Sequence, residues 1–116
     1  MAVSKQINPS NAYLVRQALK KYDAATNDYI AWTGANTIAV GLYEDALGVT
    51  AIDGFVALPM TESSVLGTYY RVVSGTDTAA LASYAGETIY QIVTGGNASD
   101  LKVVTPLVVT QPRYAQ

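Results

Sequence analysis

The sequence predicts a mainly β domain, an antiparallel β-sandwich or jelly-roll-like barrel, carrying one N-terminal α-helix over residues 12–25. Three observations carry this expectation. From Tyr29 onward, apolar and β-branched residues recur with period two, as in Ile38, Val40 and Leu42. Turn residues, mostly Gly, Asn and Asp, divide these runs at roughly 10- to 15-residue intervals, the rhythm of a sandwich or barrel and not of a βαβ repeat. The one long stretch with helical spacing precedes them: Leu14, Val15, Ala18, Leu19 and Tyr22 fall on one side, Arg16, Lys20 and Lys21 on the other.

Residues 1–11 are expected to form an extended arm, because Pro9 disfavours helix at Asn8. Ser10 or Asn11 can then cap the helix, whose composition is rich in Ala, Leu, Lys, Arg and Gln. Thr26–Asp28 ends it. The β region, residues 29–110, opens with strands at Tyr29–Thr33 and Thr37–Tyr43, separated by a turn at Gly34–Asn36. Glu44–Gly48 is turn-like. Val49–Ile52 and Phe55–Met60 are expected to pair through Asp53-Gly54, a strong hairpin signal, with Pro59 at a strand end or sheet edge. A polar connection, Thr61–Leu66, leads to the central strand Thr68–Ser74. Gly75–Thr78 is turn chemistry, and Ala79–Tyr84 should make one or two helical turns stopped at Gly86. A strand at Glu87–Val93, a loop at Thr94–Asp100 and a β-rich segment Leu101–Thr110 interrupted at Pro106 follow. Residues 111–116 form a second arm.

At 116 residues the chain is one domain, 1–116, long enough for a real core. Only 14% of residues are charged, against the usual ~25%, which suggests a surface partly covered by a partner. The net charge of −2 and pI near 4.8 argue against nucleic acid, which demands clustered Lys and Arg. The chain has no cysteine, hence no disulfide or thiolate metal site, and no histidine, hence no imidazole base or ligand. Met1–Lys5 lacks a signal-peptide layout, and no apolar run approaches the roughly eighteen residues of a membrane span. A protein made in the cytoplasm, with no membrane partner, is expected.

No catalytic, cofactor or metal residues are assigned, and an enzyme is not expected. The carboxylates fall mainly in turns, where capping of local amides is their common role. Glu44-Asp45 lacks the regular oxygen spacing of a calcium loop. Gly95-Gly96 is followed by no Lys-Ser/Thr and opens no helix, so it is no phosphate loop. Asn97–Ser99 matches a glycosylation acceptor without a secretion signal.

Partner binding is the remaining chemistry. Aromatic residues are mostly tyrosine, nine against one Trp and one Phe, and tyrosine favours interfaces. Tyr69 and Tyr70 point to opposite faces of one strand, so one can pack inward while the other faces out. The arms carry Val3, Ile7 and Tyr114, and ordered termini must be tied to this domain's sheet or to a neighbouring chain. The candidate interface residues are Val3, Ile7, Tyr13, Trp32, Tyr70 and Tyr114.

The stretches Ala39–Tyr43, Phe55–Thr61, Gly67–Val73 and Ala85–Val93, with their rhythm of glycines and tyrosines, resemble small β-sandwich modules of tailed-bacteriophage virions. The likeness covers residues 39–93, about half the chain. It implies a virion structural protein, foremost a capsid decoration (cement) protein that binds across major capsid protein junctions and stabilises the head. The other readings it leaves are a neck, tail or fibre-attachment component, or a carbohydrate-binding sandwich. The partners so implied are the major capsid protein or other virion structural proteins, with a homodimer or homotrimer as a further arrangement.

Overall fold

The computed structural model describes residues 5–32, 38–95 and 102–110, and it is mainly β. Among the described residues ten strands occur, in the order β1 (Lys5–Ile7), β2 (Tyr13–Ala18), β3 (Lys20–Asp23), β4 (Asp28–Ala31), β5 (Ile38–Tyr43), β6 (Leu58–Pro59), β7 (Thr61–Glu62), β8 (Thr68–Val73), β9 (Thr88–Gly95) and β10 (Lys102–Val109). A single α-turn, α1 (Gly75–Thr78), runs into a 3-10 helix at Ala79–Tyr84. One sheet has the order β1-β10-β9-β5-β6, a second β2-β8-β7, and β3 and β4 form a two-stranded hairpin. Every pairing is antiparallel except β1 with β10, which is parallel.

The expected helix over 12–25 does not form; β2, β3 and a turn occupy it. The side chains of Tyr13, Val15 and Leu19 are buried while Leu14, Arg16, Ala18 and Lys20 are exposed, a period of two. The same residues satisfy both periods on paper. Pairing with β8, about 50 to 60 residues away, selects the strand, and helix propensity is a weak prior against such tertiary context. Ser10 is no helix cap but a positive-φ residue in the turn before β2.

The N-terminal arm is also corrected in part. Residues 5–7 are a strand in the large sheet, with Ile7 opposite Val109 and fully buried. Asp53-Gly54 closes no regular hairpin. The Phe55 amide donates to the Ile52 carbonyl at 3.0 Å around a tight turn, and the ladder with β5 begins only at Leu58. The short helical segment at Ala79–Tyr84, followed by Gly86 at φ 84°, is as expected. Its lead-in is capped by Ser74, whose hydroxyl accepts the Asp77 amide at 3.2 Å.

Pro106 lies inside β10 at no cost to the ladder with β9. The Val109 amide donates to Glu87, whereas the Thr110 amide donates to Ile7. Backbone groups alternate sides along a strand, so position 106 turns its missing donor toward β1 and away from β9.

Both sheets contribute to one apolar cluster. Ile38, Val40 and Leu42 of β5, Ile89 and Val93 of β9, and Leu107 and Val109 of β10 meet Tyr13, Val15, Tyr69 and Val73 of the smaller sheet. A buried polar contact crosses between them: the Tyr13 hydroxyl donates to Oε1 of Gln91 at 2.8 Å, with Gln91 only 1% exposed. Burial pushes the Tyr13 phenol from 10.0 up to about 12. A raised folded-state value means that the neutral phenol stabilises the fold fully below pH 10, and that this contribution is lost as pH rises from 10 toward 12. Tyr13→Phe should abolish that alkaline fall and cost about 1–3 kcal/mol by orphaning Gln91. Urea titrations across this pH range measure both, and an unchanged alkaline limb in Tyr13→Phe would contradict the assignment.

Candidate partner-binding surface

The surface is organised by Leu19, which joins β2 to β3. Its amide donates to the Gly67 carbonyl at 2.8 Å, and its own carbonyl accepts the Trp32 amide at 2.9 Å. The N–H and C=O of one strand residue point to the same side. Residues 13–23 therefore form one nearly continuous strand that is paired along one side only, first by β8 and then by β4. The junction is tight. Gly67 has φ +83°, and a Cβ there would stand 2.8 Å from the Ala31 Cβ, so only glycine lets the two partners meet end to end. The Tyr69 hydroxyl adds a tie by donating to the Trp32 carbonyl at 2.7 Å.

The opposite edge of residues 13–23 pairs with no strand among the described residues. Thr68 fixes which backbone groups face it. Thr68 donates to Val65 and accepts from Ser63, away from β2, so its partner Ala18 also turns away, toward the open edge. By alternation Leu14, Arg16, Lys20 and Tyr22 present their backbone groups the same way.

The outer face of β2 and β8 carries a contiguous apolar strip. Leu14 lies opposite Val72, and Arg16 opposite Tyr70. Leu14, Val72 and Tyr70 are 45%, 55% and 38% exposed, and with Arg16 and Ser63 they line a shallow groove of about 300 Å³. Beyond the groove, the β3–β4 hairpin is exposed over all of β4. Tyr22 and Tyr29 face each other across it, edge to face at 5.4 Å, and Tyr22 hydrogen-bonds Asn27 in the turn.

A second concavity, of about 340 Å³, is lined by Glu44, Tyr84, Glu87, Thr88 and Ile89. The Tyr84 hydroxyl donates to Oε2 of Glu44 at 2.7 Å, and that bond, together with the nearby carboxylate charge, raises its pKa. The neighbouring Asp45 accepts the Thr50 amide at 2.8 Å and the Val49 amide at 3.1 Å, which lower its pKa and fold the 44–50 loop back on itself. Its carboxylate thus caps a turn, the common role of turn carboxylates. The loop leans on β9 and β10, where Gly48 approaches Ile92 and the Lys102 ammonium donates to the Leu47 carbonyl at 2.7 Å. Among the described residues no group of three or more acidic side chains converges.

Of the candidate interface residues, Tyr70 lies in the exposed groove. Ile7 and Tyr13 are core residues, at 0% and 8% exposure, so neither side chain is offered to a partner. Trp32 is half-buried against the core. Val3 and Tyr114 lie outside the described residues. Comparison with known proteins yields nothing: no family model, no curated protein and no solved structure matches the chain. The surface therefore rests on its own geometry. Leu14, Val72 and the hairpin tyrosines escape a helical reading of residues 12–25. The alternation of Tyr13, Val15 and Leu19, broken at Gln17, is the signal that points to them.

Proposed function

We propose that the chain is a virion structural protein of tailed bacteriophages, a capsid decoration protein of β-sandwich form that docks across major capsid protein junctions and braces the head. The observation that carries this reading is the strip of Leu14, Tyr70 and Val72, three large apolar side chains side by side on a sheet face with no covering element among the described residues. Such a strip is unfavourable in water and becomes favourable once buried by a partner. Binding the assembled shell and not the free subunit stabilises the shell by mass action. The low charge of the chain and its tyrosine-rich aromatic content suit the same role.

The test is reconstitution. Purified protein should bind expanded heads that lack it, saturably and at a fixed copy number, and should raise their resistance to heat and low salt. Tyr70→Glu combined with Val72→Glu should weaken occupancy by at least about tenfold, equivalent to ~1.4 kcal/mol. The monomer should stay folded, because both side chains are on the outer face. Heads that neither bind the protein nor gain resistance would overturn the reading.

A further inference from the structure

We propose that the open edge of residues 13–23 is a strand-addition site for an extended, acidic segment of a partner protein. The inference rests on reading this side of the molecule as partner-binding, and not on the identity of the particle. Three observations carry it. First, the edge is long: residues 13–23 run through the Leu19 hand-over with one side paired throughout, leaving alternate backbone donors and acceptors at Leu14, Arg16, Ala18, Lys20 and Tyr22 directed outward. Soluble proteins normally keep such edges short or cover them. Second, the Ala18 carbonyl is met by the Gln17 side-chain amide at 3.0 Å, a makeshift partner that an incoming strand can replace. Third, the charged side chains exposed along the middle of the edge are both basic. Arg16 and Lys20 project with Leu14, Ala18 and Tyr22, and the Lys5 ammonium stands 5.7 Å from the Tyr13 ring at the near end. On a chain of net charge −2 this edge has one carboxylate, Asp23, at its far end and held by the Ala25 amide and the Thr26 hydroxyl.

The same charges argue against a second copy. An antiparallel pair of edges centred on Ala18 would set Arg16 opposite the partner's Lys20, twice, and like charges directly opposite are destabilising. An incoming strand with carboxylates at alternate positions instead meets Arg16 and Lys20 on the outer face, while its backbone completes the ladder and its intervening apolar residues take the face that Val15 and Leu19 turn to the core.

The experiment uses the full chain and a synthetic peptide of about ten residues, matching the edge at ~3.4 Å per residue, in which Glu alternates with Val and Thr. A counterpart carries Lys in place of Glu. Amide exchange is followed by NMR. In the free protein the amides of Arg16, Ala18 and Lys20 should exchange fast, and those of Gln17 and Leu19 slowly. The acidic peptide should slow the first set at least about tenfold, less so at high salt, and the Lys peptide should not. Ala18→Pro removes one outward donor and should abolish the protection. Arg16→Glu with Lys20→Glu, both exposed, should invert the preference between peptides even if the proline variant fails to fold. Slow outward amides in the free protein, a dimer by sedimentation, or equal binding of both peptides overturns the proposal. Heads that bind Ala18→Pro as well as wild type would overturn it while leaving the capsid reading intact. Peptide binding without head binding would do the reverse.

Discussion

Tyr69→Ala is expected to lower the free energy of unfolding by about 3–5 kcal/mol, the range for removing a large buried aromatic ring. That is a large part of the ~5–15 kcal/mol that holds a domain of this kind together, and it corresponds to a fall in Tm of about 10–25 °C. Tyr69 is among the largest fully buried side chains and lies in the cluster shared by the two sheets. Its hydroxyl also fastens β8 to Trp32 at the end of the hairpin. Truncation therefore opens a cavity and leaves the Trp32 carbonyl without that donor. Tyr69→Phe retains the ring and should cost only about 1 kcal/mol. Urea denaturation of both variants separates the two contributions. A loss under about 1.5 kcal/mol for the alanine variant would show that the site collapses around the gap and that the ring is not a keystone of the core.

Gly67→Ala should cost about 2–4 kcal/mol, from two sources that a control can divide. A side chain at φ +83° is unfavourable by about 1–2 kcal/mol. The added Cβ also meets the Ala31 Cβ at 2.8 Å and the Trp32 amide at 3.3 Å, a collision of about 1–3 kcal/mol that pushes the hairpin away from β8. Gly54, at φ +88° with nothing within 4 Å, supplies the control: Gly54→Ala should show the first source alone. The hydrogen bonds of Leu19 to Gly67 and Trp32 should loosen only in the Gly67 variant, and Ala31→Gly should recover part of the loss. Equal destabilisation by the two glycine replacements would mean that the junction is slack.

The strands after Tyr29 were largely legible because their inward residues carry a clean alternation, as in Ile38, Val40 and Leu42, and because turns separate them. The opposite orientations of Tyr69 and Tyr70 followed from the same rule, at 2% and 38% exposure. Residues 12–25 were not legible for a physical reason. Gln17 interrupts the inward apolar row, so Leu14 and Ala18, which face out, fill a helical stripe as well as Val15 and Leu19 fill a strand. Asn27 compounds the ambiguity. An asparagine in the left-handed region ends a helix as readily as it closes a hairpin, and here, at φ 56°, it closes one. The candidate surface was hidden with the helix, since Leu14 and Arg16 acquire their neighbours Val72 and Tyr70 only through pairing of β2 with β8. Ile7 was misplaced because a short apolar run near a terminus gives no local sign of the parallel strand that receives it.

That parallel pairing bears on how the molecule comes into being. Lys5 lies beside Leu107 and Ile7 beside Val109, so the first described strand is held by the last. During synthesis the ribosome releases β1 long before β10 exists, and Ile7 lacks its sheet partner until then. The core cannot close progressively behind the growing chain. The large sheet must wait for β10 and close over a loop of about a hundred residues, a non-local step that places folding toward the millisecond-to-second end of the range. Until that step, the apolar edges of the nascent chain are open to other chains, and dilution or a chaperone is what keeps them apart.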